Sequence, residues 1–319
     1  MKYILITAAR NEDPFIEKTL SSMVAQTTVP EQWFIVDDGS TDQTAAIVED
    51  YARRFPWIKL IRRSTRPVRS FAGKVHSFEA GYAAARDFEF DAVGNLDADI
   101  SFEADHFEFL LQKLSSDPRL GVVGTPFTET GYDSAKDSFE GQQHVAGQCQ
   151  LFRRQCFEDI GGYVPNPAGG VDWIAVTTAR TKGWKTQSFP EKRYHHYRPM
   201  GTAERGTFRA LFTYGEKDYY LGGSPIWQLF RVCYRSAKKP YLIGGLALLS
   251  GYCWAAVRRL KRPVSAELVR FHRREQMQKL RAISRSLLQR RRIDNFRLDS
   301  ELEPPQKKAD KFESSVANR

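Results

Sequence analysis

Short apolar runs alternate with longer segments of helical periodicity through the first hundred residues of this 319-residue chain. Each run has the length of a buried strand, and the segments between the runs repeat apolar residues at a helical spacing. The predicted strands are 3–9, 32–38, 58–62 and 92–99, and the predicted helices between them are 14–26, 41–55 and 75–88. This alternation predicts βαβ units and a mainly parallel sheet.

The regular alternation of apolar runs and helical segments ends after residue 102. Predicted strands at 121–127 and 148–152 and predicted helices at 154–160 and 172–182 surround a polar, glycine-containing stretch at 132–147. A long loop inside a domain is often functional. We expect this half of the domain to close over the crevice formed by the carboxyl ends of the parallel strands.

Positive charge is concentrated towards the carboxyl terminus. The formal net charge is +10, and residues 258–292 hold thirteen Lys or Arg against two acids, Glu267 and Glu275. The neighbouring residues 240–257 carry no charge, and this combination favours an anionic membrane surface over nucleic acid as partner. The uncharged run is short for a membrane span, so we expect a monotopic or re-entrant element, with a buried hairpin as the alternative.

Cysteine usage and the first residues bear on the compartment. The four cysteines are scattered and form no Cys-x-x-Cys pair, so neither a zinc site nor a disulfide framework is expected, and a reducing cytosol fits best. The apolar run that starts the chain is interrupted by charged residues between positions 10 and 13. We therefore expect a first strand rather than a secretory signal.

Two groups of carboxylates follow predicted strands. Asp37, Asp38 and Asp42 come at the end of the second strand, and Asp97 and Asp99 come at the end of the fourth. Because the carboxyl ends of parallel strands meet at one edge of a sheet, we expect these acids to share a crevice around a nucleotide and a divalent cation. Turn and helix capping are the alternative roles for Asp37 and Asp42, and capping is favoured for Asp42.

These acids belong to a set of motifs that resembles the family 2 glycosyltransferases, inverting enzymes of the GT-A fold. The motifs are Thr7–Glu12 with Val36–Asp42, Asn95–Asp99, and Leu151–Phe157 with Ile160–Tyr163 and Val171–Trp173. They occur in order at domain-scale spacing and cover about residues 3 to 200, whereas each motif alone is weak. The resemblance is to transferases of bacterial cell-surface polysaccharide synthesis and implies an α/β fold of the GT-A type with a helical, membrane-associated appendage.

The resemblance also implies roles for individual residues. Asp99 and His196 would hold a divalent cation, Mg²⁺ or Mn²⁺, and Asp172 would accept the proton of the acceptor hydroxyl. The residues implied in binding a UDP-, GDP- or dTDP-sugar are Thr7, Ala9, Arg10, Glu12, Asp37, Asp38, Lys74, Asp97, Ala98 and Arg198. The family usually has Glu-Asp where this chain has Val171-Asp172, so only the second acid of that pair is present.

Two adjacent histidines leave one assignment open. Since alternate residues of a strand face opposite ways, one of His195 and His196 is expected to face the site, and we favour His196. A structural histidine pair is the alternative, because an imidazole ligand needs a second metal ligand nearby.

The sequence predicts five segments. Residues 1–105 would be the nucleotide-sugar-binding half of the domain and 106–215 the acceptor-binding half. An apolar membrane-associated segment at 216–262, a basic amphipathic helix at 263–292 and a disordered tail at 293–319 would follow. The apolar stripe of the basic helix, expected to lie on the membrane, consists of Met277, Leu280, Ile283, Leu287 and Leu288.

Together these features predict a transferase at the cytoplasmic face of the cell membrane, peripheral or monotopic, with a glycan or lipid-linked acceptor. A polyprenyl-phosphate glycosyltransferase, a nucleotidyltransferase and a non-catalytic module that binds membrane or nucleic acid are the alternatives. The start of the chain has no glycine-rich triphosphate loop, which disfavours the nucleotidyltransferase. Gln278-x-x-Arg281 lacks the tryptophan that follows it in processive synthases, so we expect transfer of one or a few sugars.

Overall fold

The computed structural model describes residues 1–64, 71–137, 141–166, 169–198 and 207–289. The strands are β1 Tyr3–Ala9, β2 Gln32–Asp37, β3 Ile58–Arg62, β4 Ala92–Leu96, β5 Ile100–Phe102, β6 Leu120–Gly124, β7 Phe127–Glu129, β8 Tyr132–Asp133, β9 Cys149–Arg153, β10 Lys185–Ser188 and β11 Tyr194–His196. The helices are α1 Ile16–Val24, α2 Thr44–Arg54, α3 Phe71–Ala84, α4 His106–Ser116, α5 Ser134–Asp137, α6 Arg154–Asp159, α7 Val171–Thr181, α8 Thr207–Tyr220, α9 Pro225–Ser236, α10 Ile243–Val257 and α11 Ala266–Leu288.

Seven strands form the central sheet in the order β10-β6-β9-β4-β1-β2-β3. The pairs β1–β2, β2–β3, β1–β4 and β6–β10 are parallel, and only β9 runs antiparallel to its neighbours β4 and β6. The predicted α/β class with a mainly parallel sheet is therefore confirmed. One predicted boundary moves: α3 begins at Phe71, four residues before the prediction, so Lys74 lies in its first turn.

Both faces of the sheet are buried, as expected when crossover helices cover a parallel sheet. Along β1 the side chains alternate: Tyr3 and Leu5 belong to one apolar cluster, and Ile4 and Ile6 belong to the cluster on the opposite face. All four are at most 1% exposed. Packing on both faces holds the sheet in place, and the loops at its carboxyl edge therefore start from fixed positions.

A small second sheet of order β5-β11-β7-β8 lies beyond the end of β4. β11 pairs antiparallel with β5, so that His196 stands opposite Ile100, and β11 pairs parallel with β7. Because Asp99 directly precedes β5, this pairing brings Asp99 close to His196 although the two residues are almost a hundred positions apart in sequence.

Helices α8 and α10 pack at unusually close range. A Cβ atom added at Gly251 of α10 would overlap the carbonyl oxygen of Phe212 in α8, and a Cβ atom added at Gly215 of α8 would overlap the carbonyl oxygen of Leu248. Only glycine permits such an approach of two backbones. The predicted segment boundary at residue 215 falls inside α8.

The structure corrects the prediction for the basic helix. Met277, Leu280 and Ile283 of α11 pack against Trp227 and Phe230 of α9 and are not free to lie on a membrane. Of the predicted stripe, only the last two leucines, at positions 287 and 288, are strongly exposed. The periodicity of α11 is that of an amphipathic helix, but its apolar face is covered by protein.

None of the described helices is both long and apolar enough to cross a bilayer. The predicted tail at 293–319 lies outside the described residues.

The glycine contacts give the first prediction. Gly251→Val should lower the free energy of unfolding by at least about 2 kcal/mol, because the side chain would force α8 and α10 apart. Ser250→Val is the matched control, since Ser250 is the exposed neighbour on the same helix. Urea unfolding followed by circular dichroism compares the two. Equal stability of the two variants would contradict the close packing.

Candidate active site

The carboxyl ends of β1, β2 and β4 meet at one edge of the central sheet. The backbone N–H of Asp38 donates to the carbonyl of Ala9 at 2.9 Å, which joins the ends of the first two strands. The backbone N–H of Asp97 donates to the carbonyl of Gln148 at 2.8 Å, which joins the end of β4 to the segment before β9. The two predicted carboxylate groups therefore border the same edge.

Two of the predicted acids stabilise the loops of this edge. Asp37 Oδ1 accepts a hydrogen bond from the backbone N–H of Ser40 at 3.0 Å. Asp42 accepts from the backbone N–H and hydroxyl of Thr44 and from the backbone N–H of Asp13. Burial would raise the pKa of Asp42, but these hydrogen bonds lower it below the usual aspartate value. Asp37 and Asp42 thus make turn contacts, and Asp42 accepts from Thr44, the first residue of α2, although the N-cap residue of that helix is Gln43.

Asp38 makes fewer contacts with the rest of the protein than Asp37 and Asp42 do. It is 9% exposed, and its Oδ1 atom lies 3.5 Å from Arg63 Nη1. Within the described residues this buried oxygen has no hydrogen-bond partner. A buried acceptor without a donor is costly, and it leaves Asp38 able to accept from a bound ligand.

Lys74 and Asp97 form the centre of the crevice. Lys74 Nζ lies 2.5 Å from Asp97 Oδ1, and the side-chain amide of Asn95 donates to the same oxygen at 3.2 Å. Burial alone would lower the pKa of Lys74, but the negative charges of Asp97, Asp172 and Asp99 raise it above the usual lysine value. The ammonium group of Lys74 is therefore close to three of the predicted aspartates, Asp97, Asp99 and Asp172.

Asp99 and His196 form a second ion pair, with 3.5 Å between Asp99 Oδ2 and His196 Nε2. The other ring nitrogen of His196 lies 2.7 Å from Glu129 Oε1, and all three side chains are less than 10% exposed. Burial would raise the pKa of Asp99, but His196, Arg198 and Lys74 lower it. The neighbouring His195 instead meets the ring of Tyr197 edge-on at 4.7 Å.

Arg198 closes the crevice on the side of β1. Its guanidinium donates to both oxygens of Glu12, at 3.0 and 2.6 Å, and its Nε atom lies 3.9 Å from Asp99 Oδ2. Two parallel bonds to one carboxylate fix the guanidinium in position and in orientation. Glu12, only 4% exposed, thus positions an arginine instead of presenting a free carboxylate.

Asp172 stands in the first turn of α7, where a negative charge is favoured by the helix dipole. Its Cβ atom would be 2.7 Å from a Cβ atom added at Gly147, so Gly147 leaves just enough space for it. Burial would raise the pKa of Asp172, but Lys217, His144 and the backbone N–H of Trp173 lower it below the usual value. The group is therefore a carboxylate at neutral pH.

Other predicted residues lie outside this cluster. The hydroxyl of Thr7 accepts from the indole of Trp33 at 2.9 Å inside the core, and Ala98 is part of an apolar core cluster. Ala9 ends β1 and contributes its carbonyl to Asp38, and Arg10 follows it, partly buried. For these positions the structure shows local packing, and their roles towards a nucleotide sugar stay predictions.

Four residues that contact or influence the site side chains were not predicted from the sequence: Glu129, Arg63, Asn95 and Lys217. Glu129 ends the three-residue strand β7, between the predicted strand 121–127 and the polar stretch 132–147, and Lys217 belongs to α8, far along the chain from Asp172. Asn95 alone had a local signal, since it opens the motif that contains Asp97 and Asp99. The other three depend on tertiary contacts that no spacing in the sequence encodes.

Comparison with known proteins relates the amino-terminal part of the chain to a known family. Residues 4–136 match the sequence model of glycosyl transferase family 2. The uncharacterized glycosyltransferase EpsJ of Bacillus subtilis is 28% identical over 129 residues, which are 40% of this chain and 35% of that protein. The poly-β-1,6-N-acetyl-D-glucosamine synthase of Staphylococcus aureus is 30% identical over 122 residues, which are 38% of this chain and 27% of that protein. The chain thus spans about a third of the length of these curated relatives.

Solved structures agree on the fold over most of the chain. A mannosyltransferase of Pyrobaculum calidifontis in complex with GDP-Man and Mn²⁺ superposes with a TM-score of 0.53 at 19% identity, covering 90% of this chain and 80% of that one. Residues 1–349 of S. aureus TarS in complex with UDP-GlcNAc give 0.54 at 15% identity, covering 93% and 90%. The α/β architecture with its mainly parallel sheet matches these GT-A proteins.

The hydrogen bonds of Asp42 generate a prediction on pH. Because folding lowers its pKa, the carboxylate stabilises the folded state at pH values above that of the unfolded chain, about 4. Asp42→Ala should cost about 1 kcal/mol at neutral pH. The cost should shrink as the pH falls through the folded-state pKa, where the carboxyl becomes protonated. Urea unfolding at neutral and acidic pH measures this, with the exposed Asp87→Ala as control. A cost that does not change with pH would contradict the contacts.

Proposed function

We propose that the protein is an inverting glycosyltransferase that moves a sugar from a nucleotide-sugar donor to an acceptor hydroxyl by direct displacement. One observation carries the proposal: the ammonium group of Lys74 pairs with Asp97 and lies close enough to Asp99 and Asp172 to be influenced by both charges. Residues from three separate parts of the chain would thus form one site, with acidic groups for a metal and for a base and a cation for a diphosphate.

Asp172 is the proposed base. In an inverting displacement a carboxylate accepts the proton of the acceptor hydroxyl while the oxygen attacks the anomeric carbon opposite the leaving group. The lowered pKa keeps Asp172 ionised and so ready to accept that proton. Its place at the start of α7, fitted against Gly147, fixes the carboxylate at the crevice. Proximity and orientation are the main contributions that such a base can offer.

Asp99 and His196 are the proposed ligands of a divalent cation. No group of three His, Cys, Asp or Glu side chains in the described part of the chain is arranged to hold a metal. Two protein ligands nevertheless suit Mg²⁺ or Mn²⁺ when a diphosphate supplies further oxygens. Neighbouring ligands of an octahedral ion lie about 3 Å apart, and Asp99 Oδ2 and His196 Nε2 are 3.5 Å apart. The bound cation would disperse the negative charge that develops on the leaving diphosphate.

Glu129 is the proposed orienting residue for His196. By accepting the proton of Nδ1, it would leave the lone pair of Nε2 directed towards Asp99 and the metal. Lys74 and Arg198 would then face the diphosphate from two sides. Asp38, whose Oδ1 atom accepts no hydrogen bond from the described residues, and Asp97 are the proposed acceptors for the hydroxyl and N–H groups of the nucleoside.

The donor and acceptor are proposed by analogy. Structural neighbours hold GDP-Man or UDP-GlcNAc, so a UDP-, GDP- or dTDP-sugar is the proposed donor. A poly-β-1,6-N-acetyl-D-glucosamine synthase is among the relatives, which supports a glycan or lipid-linked acceptor in polysaccharide synthesis. We propose that the protein works at the cytoplasmic face of the cell membrane. A polyprenyl phosphate is the alternative acceptor.

Removal of the base gives the decisive test. Asp172→Asn should lower the rate of sugar transfer by about a hundredfold to ten-thousandfold, because the hydroxyl loses its proton acceptor. Donor binding should be nearly unchanged. The assay measures nucleoside diphosphate released from sugar nucleotides, with a solvent extract of bacterial membranes as the acceptor source, and the exposed Asp87→Asn is the control. Unchanged turnover in Asp172→Asn would overturn this role, and release of pyrophosphate would identify a nucleotidyltransferase.

A second test addresses the metal. Calorimetric titration with UDP, GDP and dTDP should show binding of one nucleotide that depends on Mn²⁺ and is lost in Asp99→Asn. Glu129→Gln should weaken Mn²⁺ binding by about tenfold, because the imidazole loses its orienting carboxylate. The exposed Glu31→Gln is the control for Glu129→Gln. Nucleotide binding of equal strength with and without Mn²⁺ would contradict the proposed ligands.

A further inference from the structure

Helix α10 has one face that the rest of the protein leaves uncovered. Its buried face is made of small and apolar residues that pack on α8, and its other face is exposed and carries no charge. The exposed residues of that face are Ile243, Leu246, Ser250, Cys253, Trp254 and Val257. Leu246 is 58% exposed and Val257 80% exposed, and the turn before the helix adds Leu242 at 66%. We call residues 241–257 with this exposed face the α10 surface.

Basic residues flank both ends of the α10 surface. Between residues 219 and 266 there are eight Lys or Arg and no Asp or Glu. At one end Lys238 lies over the ring of Tyr234, and at the other Arg258 lies over the ring of Trp254, each at 4.5 Å from the centroid. Aromatic rings beside basic groups are typical of the interface between water and a bilayer.

The geometry points to a docking site for an anionic membrane surface, with α10 lying in the plane of the bilayer. The 15 residues of α10 extend about 22 Å, so both basic ends can reach lipid headgroups while the face between them enters the acyl boundary. A second copy of the chain fits poorly, because two such surfaces would bring the exposed basic residues at the ends of α10 together, namely Lys238, Lys239, Arg258 and Arg259 of each copy. This inference rests on the membrane location proposed above and names the surface responsible for it.

The α10 surface also bears on the transferase site. α10 packs on α8, and the carboxyl end of α8 reaches the start of α7, where the side chains of Lys217 and Leu221 would meet a Cβ atom added at Gly170. Asp172 is two residues beyond Gly170. Docking through α10 would therefore hold the proposed base at a fixed height above the headgroups, facing an acceptor that is anchored in the same bilayer.

Vesicle flotation of the full chain tests the inference. The protein should float with phosphatidylcholine vesicles that contain phosphatidylglycerol, and the exposed double variant Leu246→Glu with Trp254→Glu should bind at least about tenfold more weakly. Val29→Glu, at an exposed apolar position in the loop after α1, is the matched control and should bind like the unchanged protein. Lys238→Gln with Lys239→Gln should bind more weakly than the unchanged protein at low salt and should lose less of its binding as salt is raised, because fewer charges remain to be screened.

Equal flotation of the Leu246→Glu, Trp254→Glu variant and the Val29→Glu control would overturn the docking site. So would a soluble dimer that depends on Leu246 and forms without any flotation, since that result assigns the surface to a second copy. No nucleotide sugar is present in this experiment. Failure of docking is therefore distinguishable from failure of the proposed transferase activity, which is measured by release of nucleoside diphosphate.

Discussion

Several carboxylates share one buried crevice, and a buried carboxylate is stable only beside a positive group or a hydrogen-bond donor. Asp97 is paired with Lys74, Asp99 with His196, and Glu12 with Arg198. Each pair joins distant parts of the chain: α3 to the end of β4, β5 to β11, and the loop after β1 to the segment after β11. None of these elements can shift without exposing an unpaired charge, so charge balance and the position of the crevice are established together.

The carboxyl-terminal helices also contribute to the charge balance around the crevice. Lys217 of α8 is the largest attractive influence on the charge of Asp172, and α11 is joined to α7 by the ion pair of Arg180 with Glu275 at 2.8 Å. The ring of His272 in α11 also meets Trp173 at 4.5 Å, directly beside the proposed base. A segment that reads as a membrane appendage in the sequence therefore completes the surroundings of the active site. Its loss would be expected to affect Asp172 as well as any membrane contact.

The sequence predicted those features that depend on local periodicity. The alternation of strands and helices through the first hundred residues, the mainly parallel sheet and the meeting of two acidic motifs at one edge follow from periodicity and from the geometry of parallel strands. It did not predict Glu129 or Lys217, because their contacts join elements far apart in the chain. The apolar stripe of α11 shows a second kind of limit. Helical periodicity indicates that a face will be covered, but it does not distinguish a protein neighbour such as Trp227 from a lipid surface.

The packing of α10 bears on which acceptor the site can use. Two helix layers separate its exposed face from the start of α7, and packed helices lie about 8–10 Å apart, so Asp172 would stand on the order of 20 Å above the plane in which α10 docks. A bare lipid phosphate lies at the headgroups and would have to leave them to reach Asp172. The growing end of a lipid-linked glycan extends away from the bilayer and meets the base without leaving its anchor. With α10 in the membrane plane, the proposed lipid-linked glycan would therefore meet the proposed base more readily than a polyprenyl phosphate would.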